Sequence, residues 1–146
     1  MKYINKKLKI ENIFVQKIAE KYGTPSYCYS YELLKQNINN FKNSFKSFSP
    51  LVCFAIKSNT NVKLIGEIKK FGLGADVVSK GELMMAIKAG ISPKKIVFSG
   101  EGKTRDEISY AIDKKMLLIN AESKSEVFEI NRVAKLKKKK VFIGIR

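Results

Sequence analysis

The chain has 146 residues, enough for one domain with a hydrophobic core, and its 45% hydrophobic and 10% aromatic content excludes a disordered tail. No apolar run approaches the length of a membrane span, which argues against a membrane protein. The net charge of +16 comes from 26 lysines and only three arginines (Arg105, Arg132 and Arg146). That balance argues against a specific reader of nucleic acid, which needs arginine forks, and leaves non-specific adhesion to polyanions at low salt.

The opening MKYINKKLKI has basic residues with no apolar stretch after them, so no secretory signal is expected there. Residues 8 to 21 read as an amphipathic helix through Leu8, Ile13, Phe14, Ile18 and Ala19, broken by Gly23-Thr24-Pro25. Ser26 to Tyr31 is a short strand candidate. Residues 32 to 48 carry Leu33, Leu34, Ile38, Phe41, Phe45 and Phe48 at helical spacing, a stripe expected to be core. Cys28 and Cys53 are isolated, without metal spacing, and fit free thiols in a reducing cytoplasm.

From residue 51 the chain repeats. Leu51 to Ile56 is a continuous apolar run, as a strand buried on both faces requires, and a helical pattern through Val62, Leu64, Ile65 and Ile68 follows it. Strands are then predicted at Leu73 to Val78, Ile96 to Phe98, Leu117 to Ile119 and Val141 to Ile145, with an amphipathic helix between each pair. Strand ends fall near residues 57, 78, 99 and 120, a constant step of 21. Ser79-x-x-Glu82, Thr104-x-x-Glu107 and Ser123-x-x-Glu126 each match the capping box that opens a helix. Repeated βα units require a parallel sheet with right-handed crossovers. On this pattern alone an open doubly wound sheet and a closed (β/α)8 barrel are both allowed.

Lys57 closes the first apolar strand, and the carboxyl ends of parallel strands are where α/β folds place ligands. A partly desolvated amine there could attack an aldehyde; the plainer alternative is a lysine reaching into solvent. Asp76 interrupts the next strand and needs a partner, for which Lys57 is one candidate. Glu82 is already explained by its capping box. Gly100-Glu101-Gly102-Lys103-Thr104 resembles the end of a P-loop, but Val97 stands where that pattern needs glycine; Gly72-x-Gly74 fails as a dinucleotide fingerprint because Val77 occupies the third glycine position. With no histidine in the chain, histidine triads and histidine metal sites are excluded, and nothing supports a metal.

Several stretches together resemble the diaminopimelate decarboxylases, pyridoxal-phosphate enzymes of the alanine racemase-like fold. Tyr22-Gly-Thr-Pro-Ser-Tyr-Cys-Tyr29 is similar to the family's opening segment. Phe54-Ala-Ile-Lys-Ser-Asn-Thr-Asn61 is similar to its cofactor-lysine motif, and Gly74 to Leu83 and Ala89 to Thr104 to two further signatures, in order and in register. The resemblance implies an α/β fold: the first four to five βα units of a (β/α)8 barrel of the TIM type. It implies pyridoxal 5'-phosphate as cofactor, Lys57 as the catalytic lysine that carries it, and Asp76, Glu82 and Arg146 near it. It further implies conversion of meso-diaminopimelate to L-lysine and carbon dioxide, a homodimer in the full-length family, and a cytoplasmic location. A related ornithine- or arginine-type decarboxylase and a non-catalytic basic module are the competing readings. The family often has glycine at Lys80 and alanine at Ser58.

A closed barrel needs about 250 residues, so a partial barrel over 31 to 146 is expected, with residues 1 to 30 as a segment that packs on a β-domain outside this chain. Such a partial barrel is expected to expose its fifth strand, to aggregate, and to have no useful decarboxylase activity alone.

Overall fold

The computed structural model describes residues 1–146. The chain divides into two compact units, Met1–Ser49 and Pro50–Arg146.

In the first unit, β1 (Lys2–Ile4), β2 (Lys7–Ile10) and β3 (Ile13–Phe14) form an antiparallel meander, with Tyr3 opposite Leu8 and Ile10 opposite Ile13. Residues 8–10 and 13–14 are therefore strand, joined by a turn at Glu11-Asn12, where the sequence reading expected helix. Asn5 and Lys6 both take positive φ, 49° and 60°, which suits a two-residue hairpin turn, and Lys7-Leu8-Lys9-Ile10 alternates with the period of a strand. The helical periodicity belongs only to α1 (Val15–Tyr22).

Ser26 to Tyr31 forms no strand either. It leads into α2 (Tyr31–Ser44), where Ser30 accepts the Leu33 N–H. Glu11 braces this start by accepting from the Ser30 hydroxyl at 2.8 Å and the Glu32 N–H at 3.0 Å. Those two donors, the Glu32 amide foremost, hold the Glu11 carboxyl below its ordinary pKa. A short 3-10 turn, Lys46–Phe48, follows α2. The aromatic stripe expected to be core is not buried: Phe41 is 54% exposed and Phe48 79%. Forty-nine residues with a sheet this small bury none of their own side chains.

The second unit holds the core. β4 (Cys53–Ala55), β5 (Gly74–Val77), β6 (Ile96–Phe98), β7 (Leu118–Ala121) and β8 (Ile143–Ile145) form one parallel sheet in the order β4-β5-β6-β7-β8. Between them run α3 (Val62–Lys70), α4 (Lys80–Lys88), α5 (Arg105–Asp113) and α6 (Lys124–Leu136). A doubly wound sheet reverses its strand order at a switch point; this one is strictly sequential, as in a barrel. One face of the strands, with Ala75, Val77, Ile96, Phe98, Ile119 and Ala121 buried, packs against Ile65, Leu83, Ala86, Ile108, Ala111 and Ile130 of the helices. The strand alternation turns Asp76, Val97 and Asn120 to the opposite face. Each of β4 and β8 has a single neighbour, and beside the β8 edge Phe142 and Ile145 are 79% and 76% exposed.

Of the three expected capping boxes only one closes reciprocally. Thr104 accepts the Glu107 N–H while Glu107 accepts the Thr104 N–H at 3.0 Å. At α4 and α6 the serines cap as expected, but the glutamates reach one residue further back. Glu82 accepts the Val78 N–H at 2.9 Å and Glu126 the Glu122 N–H at 2.7 Å. Each of these carboxylates thereby pins the end of a strand to the helix that follows it.

At the opposite end of the sheet Asp113 accepts from Lys137 at 2.6 Å and Lys139 at 2.8 Å. Those two ammonium groups hold its carboxyl at about 2. The carboxylate is exposed to solvent, so the stabilisation is small. Because the folded value is depressed, that stabilisation is complete above the ordinary aspartate range near 4 and is lost as pH falls toward 2. A carbon-13 titration of the Asp113 carboxyl is expected to find its midpoint near 2; a midpoint near 4 would show that the lysine clasp does not persist in solution.

Candidate active site

β4 ends at Ala55, and the chain makes a 3-10 turn, Ile56–Ser58, that places Lys57 at the carboxyl end of the sheet. Ile56 is fully buried beneath it, and the Ser58 hydroxyl donates to the Ala55 carbonyl at 2.7 Å, so the turn carrying Lys57 is fixed from both sides. Lys57 itself is exposed and forms no ion pair. Asn61 then caps α3 by accepting the Lys63 and Leu64 N–H groups.

Asp76 lies on the adjacent strand, where Ala55 is its register partner. Its observed partner is Ser99, whose hydroxyl donates to Oδ1 at 2.6 Å; the pairing with Lys57 considered from the sequence does not form. Ser99 in turn accepts from Asn120 Nδ2 at 3.1 Å. Aspartate, serine and asparagine thus form a hydrogen-bonded string across β5, β6 and β7, on the face turned away from the helices. Beside it a Cβ on Gly144 would run into Asn120 Oδ1, so β8 carries no side chain at the point where the string ends.

Glu82 is half-buried and held by the Val78 amide, and Arg146 lies at the end of β8. The Arg146 N–H donates to the Ala121 carbonyl, and its guanidinium meets Glu122 Oε1 at 3.2 Å while remaining 66% exposed. Glu122 Oε1 also accepts the Gly100 N–H at 3.2 Å. The structure therefore joins Asp76 to Ser99 and Asn120, and Arg146 to Glu122, and links none of the four predicted site residues directly to another. Lys80, at a position where the resemblance calls for glycine, sends its ammonium to Asp106 at 2.6 Å and over the Tyr110 ring. Its charge is thereby matched on the surface of α5; the Asp106 contact, first among its causes, raises the Lys80 pKa.

Sequence reasoning did not single out Ser99, Asn120 or Glu122. The signal was present: Lys57, Ser99 and Asn120 all lie on the 21-residue step of the strand ends, and two polar residues at the ends of otherwise apolar strands need a reason. Also missed was a buried ion pair behind the site. Lys103, set aside with the P-loop-like segment, has 1% of its side chain exposed and donates to Gly100 O at 2.6 Å, Asn120 O at 2.7 Å and Glu126 Oε1 at 3.2 Å. It ties the loop after β6, which begins at Ser99, to β7 and to the start of α6.

The arrangement offers an amine without a carboxylate partner, an ordered acceptor on the next strand, and an open polar face at the strand ends. That set suits capture of an aldehyde and placement of an aromatic or anionic group beside it.

The sequence profile of the family described as "Pyridoxal-dependent decarboxylase, pyridoxal binding domain" matches residues 32–146. The chain is 40% identical over 149 residues to a diaminopimelate decarboxylase of Aquifex aeolicus, covering all of this chain and 34% of that protein. A crystal structure of an Aquifex aeolicus protein superposes with a TM-score of 0.95 at 39% identity, over 99% of this chain and 36% of the other. The Helicobacter pylori diaminopimelate decarboxylase complexed with L-lysine gives 0.87 at 38% identity, over 90% of this chain and 34% of that one. The chain thus spans about a third of the length of the relatives it matches.

Proposed function

Because the chain belongs to the pyridoxal-binding domain family of the pyridoxal-dependent decarboxylases, we propose that it supplies the cofactor lysine and one wall of the cofactor pocket of a diaminopimelate decarboxylase. The observation that carries this reading is Lys57: an amine at the carboxyl end of a barrel strand, with no carboxylate to neutralise it and a polar string on the strands beside it. The donor set fits pyridoxal 5'-phosphate. Lys57 would hold the aldehyde carbon through its amine, Asp76 would present a fixed carboxylate beside it, and Glu82 and Arg146 would stand at the rim. When bound, the cofactor's pyridine ring takes up the electron pair left when a carboxylate departs as carbon dioxide.

The chain's own residues prepare that step. The Ile56–Ser58 turn, held by buried Ile56 and by the Ser58–Ala55 hydrogen bond, sets Lys57 at the carboxyl end of the sheet, where its amine would hold the cofactor's aldehyde carbon. Ser99 occupies one oxygen of Asp76 and leaves the second for the cofactor or a water. Glu122 holds Arg146 at the mouth, where a cation would draw in a doubly carboxylated substrate. We take that substrate to be meso-diaminopimelate and the product L-lysine. The relatives at 34–40% identity carry the diaminopimelate decarboxylase name, whereas the arginine and lysine/ornithine enzymes stand at 21% and 15% and share only the fold. A homodimer and a cytoplasmic location belong to the same reading; no helix is long and apolar enough to cross a membrane.

The test joins residues 1–146 to the remaining two thirds of the Aquifex aeolicus relative. This chimera is incubated with pyridoxal 5'-phosphate, reduced with borohydride, and mapped by peptide mass spectrometry. The pyridoxyl label is expected at Lys57 above all other lysines. Label scattered over the surface lysines, with none favoured at position 57, would overturn the assignment.

A further inference from the structure

Taking Lys57 as the cofactor lysine, the reading on which this step rests, we infer that Asn120 is a positioning residue. It sets the direction of the Ser99–Asp76 hydrogen bond and, through it, the orientation in which Asp76 meets the cofactor. Asn120 Nδ2 donates to Ser99 Oγ at 3.1 Å, and Ser99 Oγ donates to Asp76 Oδ1 at 2.6 Å. An amide NH2 only gives protons, a carboxylate only accepts them, and a hydroxyl has one proton to give. With Asn120 donating from one side, the Ser99 proton is left to Asp76, and the string is polarised in one sense from β7 to β5. Oδ1 is thereby committed, and the carboxylate is held in the rotation that leaves Oδ2 to the cofactor.

Burial alone does not call for the asparagine. Ser99 is 6% exposed, and Asp76 by itself satisfies its one proton. Asn120 is only half-buried, so its amide could turn to water instead. What the second bond adds is direction, since bonds in a series polarise one another.

The surroundings are built to keep that bond in line. Ser99 is fixed by its N–H on the Val77 carbonyl at 2.8 Å. Asn120 is fixed by its register with Gly144 and by its carbonyl, which accepts from the Lys103 ammonium at 2.7 Å. Only the side chains are left to adjust. Gly144 then supplies the room. Its φ lies outside the left-handed region, so its own backbone makes no demand for glycine, but a Cβ there would run into Asn120 Oδ1 and press the amide away from Ser99. The missing side chain on β8 serves its neighbour on β7.

The test uses the chimera and reads pyridoxal 5'-phosphate affinity by absorbance titration, kcat and KM for meso-diaminopimelate, and the thermal midpoint. Asn120→Asp keeps the size and turns the donor into an acceptor, so two carboxylates compete for the Ser99 proton. It is expected to weaken cofactor affinity and to lower kcat, each about tenfold, with KM little changed. Part of such a loss would come from the added charge, and a Ser99→Ala background separates it. There the same substitution should cost about threefold or less, because no hydroxyl is left to redirect. Gly144→Ala leaves all three members of the string in place and keeps the test open should Asn120→Asp not fold. It is expected to weaken cofactor affinity about fivefold, and Gly144→Ala/Asn120→Ala should be no worse than Asn120→Ala alone.

If Asn120→Asp costs as much in the Ser99→Ala background as without it, Asn120 does not act through Ser99 and the proposal falls. It falls too if the Asn120 and Gly144 variants lower the thermal midpoint while cofactor affinity and kcat hold, since that is the mark of a purely structural contact. Absence of the borohydride label from Lys57 in the unsubstituted chimera is a different failure: it strikes the reading of Lys57 first and takes this inference with it.

Discussion

In the chimera described above, Lys57→Ala is expected to lower carbon dioxide release from meso-diaminopimelate by at least about 10³-fold, the scale on which loss of a covalent catalytic group is felt. The loss should come without unfolding. Lys57 is exposed, makes no ion pair, and stands on a turn held by buried Ile56 and by the Ser58–Ala55 hydrogen bond, none of which needs the amine. Lys57→Arg keeps the charge and most of the length, but a guanidinium that stays protonated is no nucleophile, so it should be as inactive as the alanine variant. If the arginine variant retains activity within tenfold of the unsubstituted chimera, Lys57 contributes charge only and the cofactor lysine lies elsewhere. Asp76→Asn tests the neighbour. It keeps an oxygen for the Ser99 hydroxyl and removes the charge, so activity should fall while the thermal midpoint moves little.

How much of this could be read in advance depended on whether the signal was local. The βα repeat was legible because its causes are local. Each strand is a short apolar run, three of the four helices open on Ser79, Thr104 or Ser123, and the step of 21 residues leaves little freedom. Strand order was not legible, since sequential and reversed windings share one pattern; it took the register of Ala55 on Asp76 and of Phe98 on Ile119 to separate them. The first unit misled because Phe14 and Ile18, four apart, keep a helical spacing that was carried back over Leu8 and Ile10, which keep the strand period of two, and the deciding fact is the positive φ of Asn5 and Lys6. The stripe on α2 misled differently. Helical amphipathicity says which face is apolar, not that anything within Met1–Ser49 covers it.

In the candidate site, Lys57 was found from its position at a strand end, but the partner of Asp76 was not. Adjacent strands bring many side chains within reach, and only the geometry selects Ser99 over Lys57. The glutamates of the capping motifs were seen as caps. That Glu126 would instead receive a buried lysine from a loop 23 residues earlier carries no mark in the sequence.

That lysine gives the second large effect. Lys103→Ala is expected to destabilise residues 1–146 by about 3–5 kcal/mol, the usual consequence of leaving one member of a buried ion pair without its partner. The reasons add up locally. Glu126, 8% exposed at its side chain, keeps only the Glu122 amide for its charge, and the carbonyls of Gly100 and Asn120 lose their donor in a site from which water is excluded. With a urea dependence of about 2 kcal/mol per molar, the unfolding midpoint should fall by about 2 M. Lys103→Met/Glu126→Gln removes both charges while retaining an acceptor for the Glu122 amide, and should recover a large part of the loss. A double variant no better than Lys103→Ala would mean that the two orphaned carbonyls, rather than the unpaired carboxylate, set the cost. The consequence reaches the proposed site, because the carbonyls in question belong to the loop that begins at Ser99, which donates to Asp76, and to Asn120, which donates to Ser99. Arg105→Ala, which breaks an exposed pair with Glu129, should shift the midpoint far less, since solvent screens that contact and Arg132 continues to hold the same carboxylate. If Lys103→Ala and Arg105→Ala prove equally mild, the Lys103 ammonium is reached by water in solution and the loop bearing Ser99 is held by its backbone alone.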